Sequence, residues 1–148
     1  MPRLPRTTLP DGYFHAYSRA VYGAVLFGDD DDRRLFLKLL MRTAKRFTWE
    51  LPVLCLMTTH YHLVVGTTVA YLAGGMQWLN GVYAQRFNKR YERFGHLFAG
   101  RYGARAIESE EYLERACEYV LLNPVRAGLC AHPSDWPWNG SRSGFQDA

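Results

Sequence analysis

His60 and His62 stand either side of Tyr61. On a strand this spacing turns both imidazoles to one face, because successive side chains alternate. Their nitrogens can then converge on one cation, although two polar residues on the open face of a strand give the same pattern without a metal. Tyr119 and Asn123 lie four residues apart, so on a helix the phenol and the amide share a face. An amide oxygen can complete a mixed nitrogen and oxygen metal site, and a phenol beside it can act as a nucleophile. Tyr112, Ala116 and Tyr119 also read as a packing face, with Asn123 before Pro124 as a helix terminator. A third feature is electrostatic. Between Arg86 and Arg105 six basic residues (Arg86, Lys89, Arg90, Arg93, Arg101 and Arg105) face one acid, Glu92, and are interleaved with Phe87, Tyr91, Phe94, Phe98 and Tyr102. Guanidinium groups with flat rings suit phosphates and bases, and they equally suit a solvated basic face.

The elements that must carry these residues can be read from periodicity. Tyr13 to Ser18, aromatic-rich after the turn signal Pro10-Asp11-Gly12, predicts a first strand. Asp29 to Asp32 predict the negative start of a helix rather than a metal cluster, with Leu35, Leu39, Leu40, Ala44 and Phe47 recurring at helical spacing. Leu51 to Met57 and His60 to Val65 predict two strands joined tightly at Thr58-Thr59. Leu72, Met76, Leu79, Tyr83 and Phe87 mark one stripe of a long helix that runs into the basic segment. Arg101 to Ile107 predicts a fourth strand, and Ser109 caps a last helix whose first turn holds Glu110 and Glu111 and which ends near Leu122 or Asn123. The order is βαββαβ followed by a helix, an α+β class with a ferredoxin-like antiparallel sheet.

Composition bounds the answer. The chain has 148 residues, 48% apolar and 22% charged, with a net charge of +4. One core-forming domain over residues 1–148 is expected, and disorder and a disulfide-stapled miniature are excluded. No run approaches the roughly 18 apolar residues of a membrane span. Met1 to Arg6 is basic without an apolar run behind it, so no secretory signal is expected and the cytoplasm is the expected compartment. Cys55, Cys117 and Cys130 contain no C-x-x-C pair, which argues against a zinc ribbon.

Four blocks carry a resemblance. Met57-Thr58-Thr59-His60-Tyr61-His62-Leu63-Val64-Val65, Gly95-His96-Leu97-Phe98-Ala99-Gly100-Arg101-Tyr102, Tyr119 to Leu129 around Asn123-Pro124, and Asp135-Trp136-Pro137-Trp138 follow in that order. The chain resembles the single-tyrosine HUH transposases, in particular the REP-associated tyrosine transposases, from about residue 9 to residue 142. It departs from their commonest pattern at Thr58-Thr59, where Pro-Asn is usual, at Ala20, where glycine is frequent, and at Leu121, where histidine is often found.

The resemblance implies a metal-dependent DNA transposase that cleaves and rejoins single-stranded, hairpin-associated DNA through a 5′-phosphotyrosine. It assigns Tyr119 as nucleophile, His60 and His62 as metal ligands, and Asn123 as the residue completing the coordination. Two imidazoles with one amide oxygen suit Mg²⁺ or Mn²⁺. Arg86, Lys89, Arg90, Arg101, Arg105 and Arg126 become candidate phosphate contacts, and Phe98 or Tyr102 candidate stacking residues. Trp136 and Trp138 are expected to cover the core. The family includes enzymes whose tyrosine attacks in its own subunit and others in which a homodimer exchanges it. Two other readings are a non-catalytic single-stranded DNA-binding protein and a zinc protein using His60, His62 and a cysteine or His132.

Overall fold

β1 (Gly12–Arg19) is an inner strand of the sheet, bonded to β3 (His60–Thr67) on one side and to β4 (Gly103–Ile107) on the other, both antiparallel. β2 (Glu50–Leu56) pairs antiparallel with the outer side of β3, which gives the order β4-β1-β3-β2 of the expected ferredoxin-like sheet. A short β5 (Asn139–Gly140) extends the sheet beyond β2, a strand that sequence periodicity does not foresee. The computed structural model describes residues 12–141. The basic start at Met1 to Arg6, the turn residues Pro10 and Asp11, and the expected limits at residues 9 and 142 lie outside the described residues.

Alternation along the strands separates two faces. Ala16 of β1, Leu54 and Leu56 of β2, and Tyr61, Leu63 and Val65 of β3 join the main core beneath α1 (Asp30–Arg46) and α2 (Val69–Arg90). All five stripe residues expected of α2, Leu72, Met76, Leu79, Tyr83 and Phe87, are buried there, because a 22-residue helix has one face to the sheet and its period shows. In α1 the expected Leu39, Leu40 and Ala44 are buried together with Phe36 and Leu37, while Leu35 and Phe47 lie at the rim. The acidic run starts α1 as expected, with the Asp29 side chain accepting from the Asp32 amide at 3.0 Å.

The opposite face carries a smaller apolar patch, Val53, Cys55 and Met57 of the β2 segment with Val64 of β3, covered by Val120 of α3 (Glu110–Leu121). Ser109 caps α3 by accepting from the Tyr112 amide at 3.1 Å. α3 covers only part of this face and leaves the rest of β1 and β3 open. Trp136 and Trp138 close the β2 end as expected. The Trp136 indole donates to the Leu56 carbonyl at 3.0 Å, and the Trp138 carbonyl accepts from the Leu56 amide at 2.8 Å. Among the described residues no helix is long and apolar enough to cross a membrane.

The β2–β3 turn is held from several sides despite its unusual Thr58-Thr59. Met57 N–H donates to the His60 carbonyl at 2.9 Å, the Thr58 carbonyl accepts from Leu26 and Phe27, and the Thr59 carbonyl accepts from Ala20. The buried Arg33 guanidinium donates to the Met57 carbonyl at 3.1 Å from below. His60 therefore begins its strand on a fixed backbone.

Candidate active site

Because His60 and His62 are two apart on β3, both point to the partly open face, their rings perpendicular with centroids 5.1 Å apart. Antiparallel register adds β1 residues to the same face: Arg19 stands opposite His60, Tyr17 opposite His62, and His15 opposite Val64. On the other side of β1, His15 is opposite Arg105 of β4. The diagonal between His15 and His62 is short enough to bond, with His15 Nε2 2.8 Å from His62 Nδ1. His60 Nδ1 lies 3.1 Å from the Thr59 hydroxyl. Each of the two β3 imidazoles thus has its Nδ1 engaged by the protein.

Electrostatics keeps these rings neutral. Burial, and after it the neighbouring His15, His60, Arg126 and Arg19, hold His62 down to about 3 from the usual histidine range. His60 is lowered by burial and by Arg19, and His15 by burial and by Arg105. A neutral imidazole presents a lone pair, the form required of a metal ligand.

α3 brings the phenol to the imidazoles. Its packed side is Leu113, Ala116, Cys117, Val120 and Leu121, so the alternative reading of Tyr112, Ala116 and Tyr119 as a packing face holds for Ala116 and fails for the tyrosines: Tyr112 is exposed and Tyr119 is half exposed, at 49%. The Tyr119 ring instead stands edge-on to His15 and His62, at centroid distances of 5.8 and 6.3 Å. Arg126 lies over that ring at 3.9 Å and donates to the Tyr119 carbonyl at 2.6 Å. The arginine reaches back because the chain continues past α3 into a short turn of helix, α4 (Asn123–Arg126). Pro124 is tolerated at its start, where no backbone N–H is needed.

Asn123 opens α4, lying between Tyr119 and Arg126 in the chain. Its buried amide nitrogen has no hydrogen-bond partner. The two ends of an amide are interchangeable by a flip, so what matters is a buried polar terminus left for something else to satisfy. Two neutral imidazoles and one uncommitted amide fit a hard divalent cation. Among the described residues no three His, Cys, Asp or Glu side chains form a group able to hold a metal, so a metal held here would need a ligand of another type, such as the Asn123 amide. The zinc reading through a cysteine or His132 has no such group to rest on. Cys55 is buried with its Sγ directed to Met57 Sδ at 3.7 Å, and Cys117 lies on the side of α3 that packs against the sheet.

The basic segment divides. Arg105 and Arg126 are exposed on the side of the histidines. Arg86 and Lys89 are exposed on α2, in the helical layer on the other side of the sheet. Arg101, Phe98 and Tyr102 line an open cleft of about 910 Å³ beside α2, and both rings also pack against the main core. Arg90, a candidate phosphate contact, is already engaged within the protein: its part-exposed guanidinium is paired with Asp29 and Asp32, joining the end of α2 to the start of α1. Sequence reasoning did not single out His15, Tyr17 or Arg19. Their two-residue period along β1 was the available signal, but it acquires meaning only once β1 is paired with β3.

A family model described as "Transposase IS200 like" matches residues 10–122. The chain belongs to the IS200-like transposase family. Among solved structures, the REP-associated tyrosine transposase bound to a REP hairpin matches this transposase with a TM-score of 0.75 at 13% identity, over 94% of this chain and 82% of that one. A proposed transposase from Deinococcus radiodurans matches with a TM-score of 0.54 at 20% identity, over 81% of this chain and 95% of that one. The tRNA(His) guanylyltransferase of Saccharomyces cerevisiae matches with a TM-score of 0.52 at 11% identity, over 80% of this chain and 59% of that one. Such likenesses concern the fold, which hosts different chemistries, so the IS200-like assignment rests on the family match. No curated protein matches the chain.

Proposed function

We propose that this IS200-like transposase cleaves and rejoins single-stranded DNA next to hairpins, through a 5′-phosphotyrosine at Tyr119, with His60, His62 and Asn123 holding Mg²⁺ or Mn²⁺. The observation that carries this reading is the Tyr119 ring standing against His15 and His62 beneath Arg126, all within one chain. The Tyr119 ring stands beside the His15 and His62 rings of its own chain, which supports attack within one subunit. The hairpin reading draws on the REP hairpin bound by the structurally similar transposase.

A bound divalent cation would supply Lewis-acid charge at a non-bridging oxygen of the scissile phosphate. The side chains of this protein do the rest. Arg19, Arg105 and Arg126 offer positive charge around the open face and orient the phosphodiester. The Tyr119 oxygen bonds to phosphorus while the bond from phosphorus to the 3′-oxygen of the upstream strand breaks. The phenolic proton is lost, the departing 3′-oxygen gains one, and the downstream strand remains attached through its 5′-phosphate. Attack by a DNA 3′-hydroxyl reverses the step and joins strands without a nucleotide cofactor, because the ester bond is conserved in the covalent intermediate.

The test is incubation with Mn²⁺ and hairpin-tipped single strands carrying the repeats that flank the gene, with adducts resolved by denaturing electrophoresis and mapped by mass spectrometry. Wild type should give a DNA adduct on the peptide containing Tyr119, and Tyr119→Phe should give none. DNA binding with no adduct in either protein would replace this reading with that of a non-catalytic DNA-binding protein.

A further inference from the structure

His15 is the one histidine of the site that neither the H-x-H motif nor the helix spacing singles out, and it touches the groups that matter. Its Nε2 is 2.8 Å from His62 Nδ1, and its ring is 5.8 Å from that of Tyr119. A hydrogen bond between two neutral imidazoles needs one N–H and one lone pair, so the contact couples the tautomers of both rings. If His15 donated, His62 would carry its proton on Nε2 and have no lone pair facing outward. If His62 donates from Nδ1, its Nε2 lone pair is free.

His60 supports the second arrangement. Its Nδ1 faces the Thr59 hydroxyl at 3.1 Å, so Nε2 is again the nitrogen left uncommitted. A pair of histidines that both use Nδ1 for the protein and keep Nε2 open is the arrangement in which ligand orientation is set by an outer shell of acceptors.

We infer that His15 is a positioning residue that accepts the Nδ1–H of His62, fixing that ring in the tautomer whose Nε2 is directed to the metal. The assignment rests on the metal-holding reading above, and it asks of β1 only what its register already supplies. Tyr17, opposite His62, confines the same pair from the side, with ring centroids 5.4 Å from His15 and 5.9 Å from His62.

Long-range ¹H–¹⁵N NMR of the metal-free full chain reads the tautomer directly. Wild-type His62 should show a protonated Nδ1 and an unprotonated Nε2. His15→Gln, whose amide oxygen can accept, should keep that pattern, and His15→Phe, which keeps a ring without an acceptor, should lose it. Mn²⁺ titration followed by electron paramagnetic resonance should then show His15→Phe binding about 10- to 100-fold more weakly than wild type, with His15→Gln in between. A wild-type His62 protonated on Nε2 overturns the inference, as does Mn²⁺ coordinated by three histidine nitrogens, which would make His15 a ligand. Mn²⁺ binding that ignores His60→Ala and His62→Ala would instead sink the metal-holding reading, while the wild-type spectrum would still judge the His15 contact.

Discussion

Arg105 stands across the β1–β4 ladder from His15 and projects an exposed guanidinium beside the candidate site. A phosphate neutralised there should appear in the salt dependence of binding, since each such contact contributes about 0.7 to 0.9 to the slope of log K against log salt. Arg105→Ala should therefore weaken binding of a hairpin-tipped single strand and flatten that slope by close to one contact. Anisotropy titrations across a salt series, in a Tyr119→Phe background so that no strand is cut, measure both quantities; an unchanged slope would remove Arg105 from the interface. Asn123 belongs to the same scale. Its type and its distance from Tyr119 were readable from the chain, but the unsatisfied buried amide is visible only when the surrounding structure leaves it without a partner.

At the scale of elements, the pairing of Arg90 with Asp29 and Asp32 clamps the end of α2 to the start of α1. Asp32 is buried and also accepts from the Gly28 amide at 2.8 Å and the Tyr91 hydroxyl at 2.7 Å, so losing the arginine leaves a buried carboxylate short of its cation. Arg90→Met should lower the melting temperature while leaving the salt slope of DNA binding as in wild type. A flattened slope with unchanged melting would restore Arg90 to the DNA interface. Elements with a long single-sided burial were legible in the sequence: α2 showed its stripe from Leu72 to Phe87, and β3 showed its alternation through His60 and His62. β5 was not legible, because a two-residue strand has no period and its partner lies more than eighty residues earlier in the chain. The same holds for the division of the basic segment. Charge density along the chain says nothing about which guanidinium will meet an aspartate from another helix.

For the whole molecule, the three lowered histidines make a prediction about acid. Each folded-state value lies below the unfolded one, so on acidification the unfolded chain takes up protons that the folded chain refuses. Stability of the metal-free protein should thus be fully present above about pH 6.5 and decline as the pH falls toward the value of about 3 held by His62. One fully refused proton contributes at most ~1.4 kcal/mol per pH unit. Urea unfolding at a series of pH values should show a shallower decline for His62→Gln than for wild type. Parallel curves would show that His62 is not held down by its surroundings.

What the sequence determined by itself was the order of the seven main strands and helices, the starts of α1 and α3, the stripe of α2 and the chemical types at positions 60, 62, 119 and 123, since these follow from local periodicity and from residue chemistry. The ordered blocks were enough to suggest the family, which the match over residues 10–122 then established. The tertiary structure alone decided which residues share the face. Strand pairing brought His15, Tyr17 and Arg19 beside the H-x-H pair, α3 turned Tyr119 onto those rings, and an ion pair between helices engaged Arg90 with Asp29 and Asp32. Those contacts join residues far apart in the chain. Their partners are set by register and packing, quantities that no short window of sequence contains.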